Sequence, residues 1–462
     1  MSASIWPAKG PATYSVKSRT LMPSRAPLNP PPNETRPCCG VRDAGNVAGS
    51  AFLVKAAPPA GLYPVSGRSE MRAEAAIGIG ETWKEALDEA RARMPMLAEG
   101  AAVDLALLFA SDAFGDGLAD LVKAVREASG GAVLIGCSGQ GVIGPAREVE
   151  DRAAIALQVF SLPGAALRPV RLSPAGLQSG SGWQQDLAGV REDVNAFLTF
   201  VDPYSVDGER LLRDLSDCLE GVPLVGGLAS GSANRQRTYL FLNDDVFTDG
   251  AVGLGLGGAY AVRTVVSQGC EPIGETWTIT GAHGNVIETI GMRPALDVLI
   301  ETFKALPAEM QERARRNLLV GLAMNEYRDE FRRGDFLVRN LLGIDQQSGA
   351  IAVGALPRVG QTLQFQVRDP DAADEDLRQL LARTKSELGG QAPVGALLCS
   401  CNGRGAGLFG VPDHDAKVLD DLIGPVPVAG FFCNGEIGPV DGKNFLHGFT
   451  ASVALILPTA AP

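Results

Sequence analysis

The sequence predicts an α/β protein, in which repeated β-α-β units form mixed sheets packed face to face with helices outside. Three observations lead there. The first is a repeat: an apolar strand runs into a glycine-punctuated turn at Val426-Pro-Val-Ala-Gly-Phe-Phe-Cys-Asn-Gly-Glu-Ile-Gly-Pro439, and the pattern occurs earlier as Val133-Leu-Ile-Gly-Cys-Ser-Gly-Gln-Gly-Val-Ile-Gly-Pro145. Gly136, Gly141, Ile143, Gly144 and Pro145 align with Gly430, Gly435, Ile437, Gly438 and Pro439, and a weaker third copy is Val222-Pro-Leu-Val-Gly-Gly-Leu-Ala-Ser-Gly231. The second is context. Apolar runs at 104–110, 196–201 and 394–399 precede the copies, each followed by a helical pattern that Gly130, Gly221 or Gly424 closes. The third is that the strands before the turns are continuously apolar, the mark of strands covered on both faces.

In chain order, residues 1–70 hold 11 of the 30 prolines and eight Lys/Arg against three Asp/Glu, with no sustained periodicity. They are expected to be a disordered or mis-assigned leader, with a targeting peptide as the competing reading. Met71 opens a strand that runs to Gly80. Thr82 then caps a helix reaching Met94, with Trp83, Ala86, Leu87 and Ala90 on one side and Pro95 as its stop. The first repeat follows, then hairpin-like strands at 153–160 and 167–172 and a Ser/Gly/Gln-rich loop at 173–190. After the second repeat come β runs at 238–242, 250–257, 260–267, 276–280 and 286–290. Pro294 suits the first position of a helix whose apolar face is Leu296, Val298, Leu299 and Phe303. Strands are expected at 318–323, 336–342, 350–353 and 363–367. A helix over 374–388 carries acids in its first turn, and the third repeat leads to a final strand at 449–457. A boundary near residue 285 therefore separates a domain 71–285 from a domain 286–462.

The 462 residues carry a net charge of −12, with 45% hydrophobic and 20% charged residues. That balance argues against nucleic acid and against anionic membrane surfaces as partners. The longest apolar stretches fall short of the roughly 20 residues a spanning helix needs. The eight cysteines are scattered and lack C-x-x-C spacing, so they are expected as reduced thiols of a cytoplasmic protein, with neither a metal site nor a cofactor. Two GxGxxG matches fail on context. Gly139, Gly141 and Gly144 lead into Pro145 and a strand, and Gly405, Gly407 and Gly410 precede a helix that starts only beyond the last glycine.

Several segments together resemble FIST proteins (F-box and intracellular signal transduction) over residues 75–457. They are Gly136-Cys-Ser-Gly-Gln-Gly-Val-Ile-Gly144, Gly334-Asp-Phe-Leu-Val-Arg-Asn-Leu-Leu-Gly-Ile-Asp345, Val359-Gly-Gln-Thr-Leu-Gln-Phe365, Cys401-Asn-Gly-Arg-Gly405 and Gly430-Phe-Phe-Cys-Asn-Gly-Glu-Ile-Gly438. The resemblance implies paired FIST-N and FIST-C modules without an F-box, a sensory role in signal transduction, and a small-molecule ligand such as an amino acid or similar metabolite. With no kinase, receiver or cyclase motif in the chain, it also implies output through a signalling protein in trans.

The candidate ligand-binding residues lie on the turns. Asn434 and Glu436 offer an amide and a carboxylate where Gly435 and Gly438 let a ligand approach the backbone; the alternative is a tight bulge with Glu436 capping a neighbouring backbone group. Ser138 and Gln140 sit on the equivalent first turn, and Cys401 and Asn402 end the strand beside the third. Arg404 suits a carboxylate or phosphate, or else an ion pair between domains. Arg339, alone in an apolar run, needs a partner that is either a ligand or a structural acid. Two other functional classes stay open: an interaction scaffold without a ligand, and a cysteine-dependent enzyme pairing Cys137, Cys401 or Cys433 with His447.

Overall fold

In the computed structural model, which describes residues 71–178, 183–231 and 236–459, each repeat folds as strand, helix and parallel strand. The expected leader, residues 1–70, lies outside the described residues. The parallel pairs are Leu105–Ser111 with Val133–Gly139, Val194–Val201 with Leu224–Leu228, and Gly395–Cys401 with Val428–Cys433. Their helices are Leu118–Ala128, Gly208–Cys218 and His414–Ile423. Two antiparallel strands extend each pair on one side: Ala154–Ser161 then Arg72–Ile79, Ala251–Gly258 then Ala165–Leu172, and Ala451–Pro458 then Tyr260–Ser267.

A hairpin completes each sheet on the other side, and it always comes from a different repeat. The hairpin after the first turn, Val142–Gly144 with Arg147–Val149, joins the third sheet. The one after the second, Leu240–Leu242 with Asp245–Phe247, joins the first sheet, and the one after the third, Glu436–Val440 with Lys443–His447, joins the second. The three six-stranded sheets therefore share one strand order and exchange hairpins in a cycle. This corrects one expectation. The strands at 153–160 and 167–172 form, but they pair in different sheets, because the short link between them carries the chain from one unit to the next.

The sheets meet face to face, as the continuously apolar strands require. Leu105, Leu107 and Phe109 enter a common core with Leu198, Phe200, Leu397 and Phe431, while Ala106 and Leu108 face the other way onto helix residues Leu121 and Val125. At the centre three rings converge. Phe109 and Phe431 stack with centroids 5.0 Å apart, and Phe200 meets them edge-on at 5.2 and 5.7 Å. One glycine per repeat, Gly136, Gly226 or Gly430, fixes the crossing of the parallel strands. A Cβ there would lie 1.7, 2.0 or 1.8 Å from the carbonyl oxygen of Leu108, Thr199 or Leu398.

Between Tyr260–Ser267 and the helix Pro370–Glu387 the chain inserts a seven-stranded antiparallel sheet. Its long strand Cys270–His283 pairs with Thr362–Arg368 at one end and Val286–Ile290 at the other, so the pairing closes on itself. The boundary expected near 285 falls in the turn between two strands of this sheet, and strands from both sides of it share three of the four sheets. Local signals fared unevenly. Thr82 forms a capping box with Glu85, but Pro95 opens a short helix, Pro95–Ala98, where a stop was expected. Pro294 is the N-cap of Ala295–Ala305 instead of its first residue, and a second helix, Ala308–Asn317, was not anticipated. Among the described residues no helix is long and apolar enough to cross a membrane.

The glycine crossings make a direct prediction. Gly430→Ala should destabilise the protein by on the order of 3–5 kcal/mol in chemical denaturation, because backbone and not a flexible side chain must yield. Gly343→Ala, in a strand where nothing lies near the new methyl and the backbone needs no positive φ, serves as the control.

Candidate functional site

The three turns lie together at one end of the core and bond one another in a ring. Ser138 is fully buried, its Oγ donating to Ser230 O at 2.8 Å and accepting from Tyr239 N at 3.0 Å. Gln140, exposed, donates its backbone N–H to Ser230 Oγ at 2.8 Å, and that hydroxyl donates in turn to Phe432 O. Phe432 N donates to Gly141 O at 3.0 Å, which closes the circuit from third turn to first. Asn434 is bound to the second turn by its N–H to Leu228 O and its Nδ2 to Ala229 O, both at 3.1 Å. Asn402 Nδ2 donates to Asn434 Oδ1 at 2.7 Å, which places two predicted residues side by side.

Two other candidates are structural in their contacts. Glu436 begins a strand and is fully buried, its Oε2 accepting from Thr450 N at 3.1 Å and Thr450 Oγ1 at 2.5 Å, its Oε1 from Cys433 Sγ at 3.3 Å. Burial pushes its carboxyl up to about 7, against those hydrogen bonds. Arg404 is also buried and grips Asp415 through Nε and Nη2 at 2.7 and 2.8 Å. Burial alone would raise Asp415, but the guanidinium, with His414 and Ser400, holds it well below the usual carboxylate range. Burial pushes the thiols of Cys137, Cys399 and Cys433 well up, and Cys401 up as well. His447 bonds Gly438 O at 3.0 Å, and burial lowers it to about 4.

A pocket of about 190 Å³ opens beside the ring, lined by Asn434 and Gly435 of the third turn, Leu446–Phe449 at the end of its hairpin and just beyond, Val338–Asn340 of the inserted sheet, and Glu209. Arg339 lies on its wall, only 11% exposed, donating to Glu209 Oε1 at 3.1 Å and Leu446 O at 2.9 Å. Glu209 and Arg339 also line a neighbouring cleft of about 590 Å³ along the helix Gly208–Cys218. Another cleft, of about 580 Å³ on the inserted sheet, has no basic residue and none of the predicted ones. The smaller pocket is where the chemistry converges, so it is the candidate site.

Residues 104–293 match the FIST N domain and residues 295–439 the FIST C domain. The chain belongs to the FIST family. FIST domains are signal-transduction domains thought to bind small ligands. The uncharacterized protein Rv0628c of Mycobacterium tuberculosis is 43% identical over 388 residues, 82% of this chain and 99% of that one. The uncharacterized protein Mb0898c of Mycobacterium bovis is 41% identical over 361 residues, 78% of this chain and 92% of that one. A crystal structure of a cyanuric acid hydrolase from A. caulinodans aligns over 85% of this chain and 100% of its own, with 10% identity and a TM-score of 0.34, too slight a likeness to bear on function.

Within this FIST chain the structure puts Asn434 and Arg339 on the pocket wall with Asn402 bonded to Asn434, leaves Cys401 half-buried, and buries Glu436 and Arg404. Sequence reasoning missed Glu209, which reads as an ordinary first-turn acid of a surface helix, and Phe449, whose backbone φ of 66° marks a tight corner in the pocket wall. Neither carries a local signal of its own.

Glu436 predicts a pH dependence. Its carboxyl is raised from 4.5 to about 7, so its contribution to stability is complete below the unfolded value and is lost as pH rises through 7. Between pH 5 and pH 8 the stability of Glu436→Gln relative to wild type should therefore rise by on the order of 2–3 kcal/mol. Parallel pH profiles in denaturant titrations would contradict this.

Proposed function

We propose that this protein is a small-ligand sensor of the cytoplasm, and that its ligand is an α-amino acid or similar small metabolite held in the 190 Å³ pocket. The observation that carries this is the pairing of opposite charges, Arg339 and Glu209, on a wall that also bears the amides of Asn434 and Asn340. An α-amino acid presents the complementary set. Its carboxylate suits the planar fork of a guanidinium, and its ammonium suits a carboxylate and amide oxygens. A pocket below the 300–1,000 Å³ of drug-sized sites fits a ligand of few heavy atoms. The wall joins the second unit, the inserted sheet and the third turn, so occupancy bears on all three. A signalling protein in trans would respond to the population so favoured.

The test is thermal unfolding of the full chain with a panel of α-amino acids, alongside the matching amines and carboxylic acids. At about 100 times its dissociation constant a ligand adds about 2.7 kcal/mol, and Glu209→Gln and Asn434→Ala should each remove most of the resulting shift. A panel in which no member raises the midpoint contradicts the reading.

A further inference from the structure

Arg368 lacks an anion. It ends the strand Thr362–Arg368 half-buried, and its Nε and Nη2 are buried without a hydrogen-bond partner. Among the described residues no ion pair reaches it. What holds it is the ring of Phe449, with Cζ 5.1 Å from the centroid, and the backbone at Gly403, where a Cβ would come within 2.3 Å of Nη1. A cation–π contact returns only part of what a guanidinium loses on leaving water, and an unpaired charge is a heavy penalty inside a protein. An arginine fixed this way is preorganised for a charge that arrives from outside.

The surroundings are rich in donors and poor in acceptors. Burial raises the Cys401 thiol, but the Arg368 guanidinium and the backbone at Gly403 and Phe449 act the other way, favouring negative charge here. Nη1 of Arg404 is buried and unpaired although the other two nitrogens hold Asp415. The two buried carboxylates that act on the neighbouring Arg404 are committed elsewhere, Asp415 to Arg404 itself and Ser400, Glu436 to Thr450 and Cys433. One acceptor is on offer, the buried and unpartnered Oδ1 of Asn402. Both links from this cluster lead to the pocket: Phe449 lines it directly, and Asn402 bonds Asn434, which lines it.

We propose that the ligand of this pocket carries a second anionic group, a side-chain carboxylate, which Arg368 receives. The ligand class is then an acidic α-amino acid. Because Nε and Nη2 are buried, the Phe449 ring turns aside on binding, from a corner set by its own left-handed backbone. The inference rests on the amino-acid reading for the half of the pocket at Arg339 and Glu209; the role of Arg368 is separable from it.

The experiment titrates the full chain with L-glutamate, L-glutamine and glutarate by calorimetry, in wild type, Arg368→Gln and Arg368→Lys. Glutamate and glutamine match in size and differ by one charge, so glutamate should bind at least about tenfold more tightly to wild type. Arg368→Gln should erase that preference by weakening glutamate far more than glutamine, and Arg368→Lys should restore part of it. Without ligand, Arg368→Gln should melt no lower than wild type, whereas a purely structural arginine would lower the midpoint when removed. Equal affinity for glutamate and glutamine, or a preference that survives Arg368→Gln, overturns the inference and leaves the amino-acid reading standing. Glutarate binding that depends on Arg368, with no amino acid bound, does the reverse. Silence from all three overturns the inference, and the panel of α-amino acids then decides the amino-acid reading.

Discussion

Three phenylalanine rings on one axis are the constraint from which the rest of this structure follows. Phe109, Phe200 and Phe431 come from three different sheets, and their mutual contacts at 5.0–5.7 Å hold only if the sheets approach to full packing density. That closeness explains why each repeat keeps a glycine where its parallel strands cross, since a single methyl would meet a backbone carbonyl. It explains the exchanged hairpins too. A unit that paired only with itself would leave a sheet edge open, whereas handing each hairpin to a neighbour covers every such edge and ties the three units together. The turns that launch the hairpins must then meet at one end of the axis, where they bond as a ring.

The candidate pocket opens beside that closed ring. The first and second turns are occupied with each other through Ser138 and Ser230, but beside the third turn the inserted sheet arrives from another part of the chain and leaves a pocket. Electrostatics around it are divided sharply. Arg404 is held by Asp415 through two of its three nitrogens, and Glu436 is satisfied by Thr450 and Cys433. Arg339 with Glu209 is paired yet faces the pocket, and Arg368 is unpaired behind Phe449. A stable frame tolerates such an arrangement only locally, which is how groups held for a ligand differ from groups held for the fold.

Much of the fold was legible in the sequence because the repeat punctuation is physical. Gly136 and Gly430 mark crossings that no other residue permits, and continuous runs such as 105–110 state that both faces of a strand are covered. The hairpin exchange was not legible, since the partner of Val142–Gly144 lies nearly 290 residues away and local pattern does not encode pairing at that range. The site was half legible. Asn402, Asn434 and Arg339 stand out as polar groups in apolar or glycine-rich settings. Glu436 stood out for the same reason but opens a buried strand, where Thr450, 14 residues on, satisfies it. Glu209 and Arg368 look like ordinary surface residues of a helix and a strand end, and only tertiary packing sets one on the pocket wall and the other unpaired behind Phe449.

Hydrogen exchange of the full chain, read by mass spectrometry with and without saturating L-glutamate, tests the central claim most directly. Slowed exchange confined to peptides spanning residues 338–340, 402–403, 434–435 and 446–449 is the predicted result, because those segments enclose the pocket and its anion end. Protection centred instead on residues 286–294 and 343–352, around the larger cleft of the inserted sheet, would contradict the account.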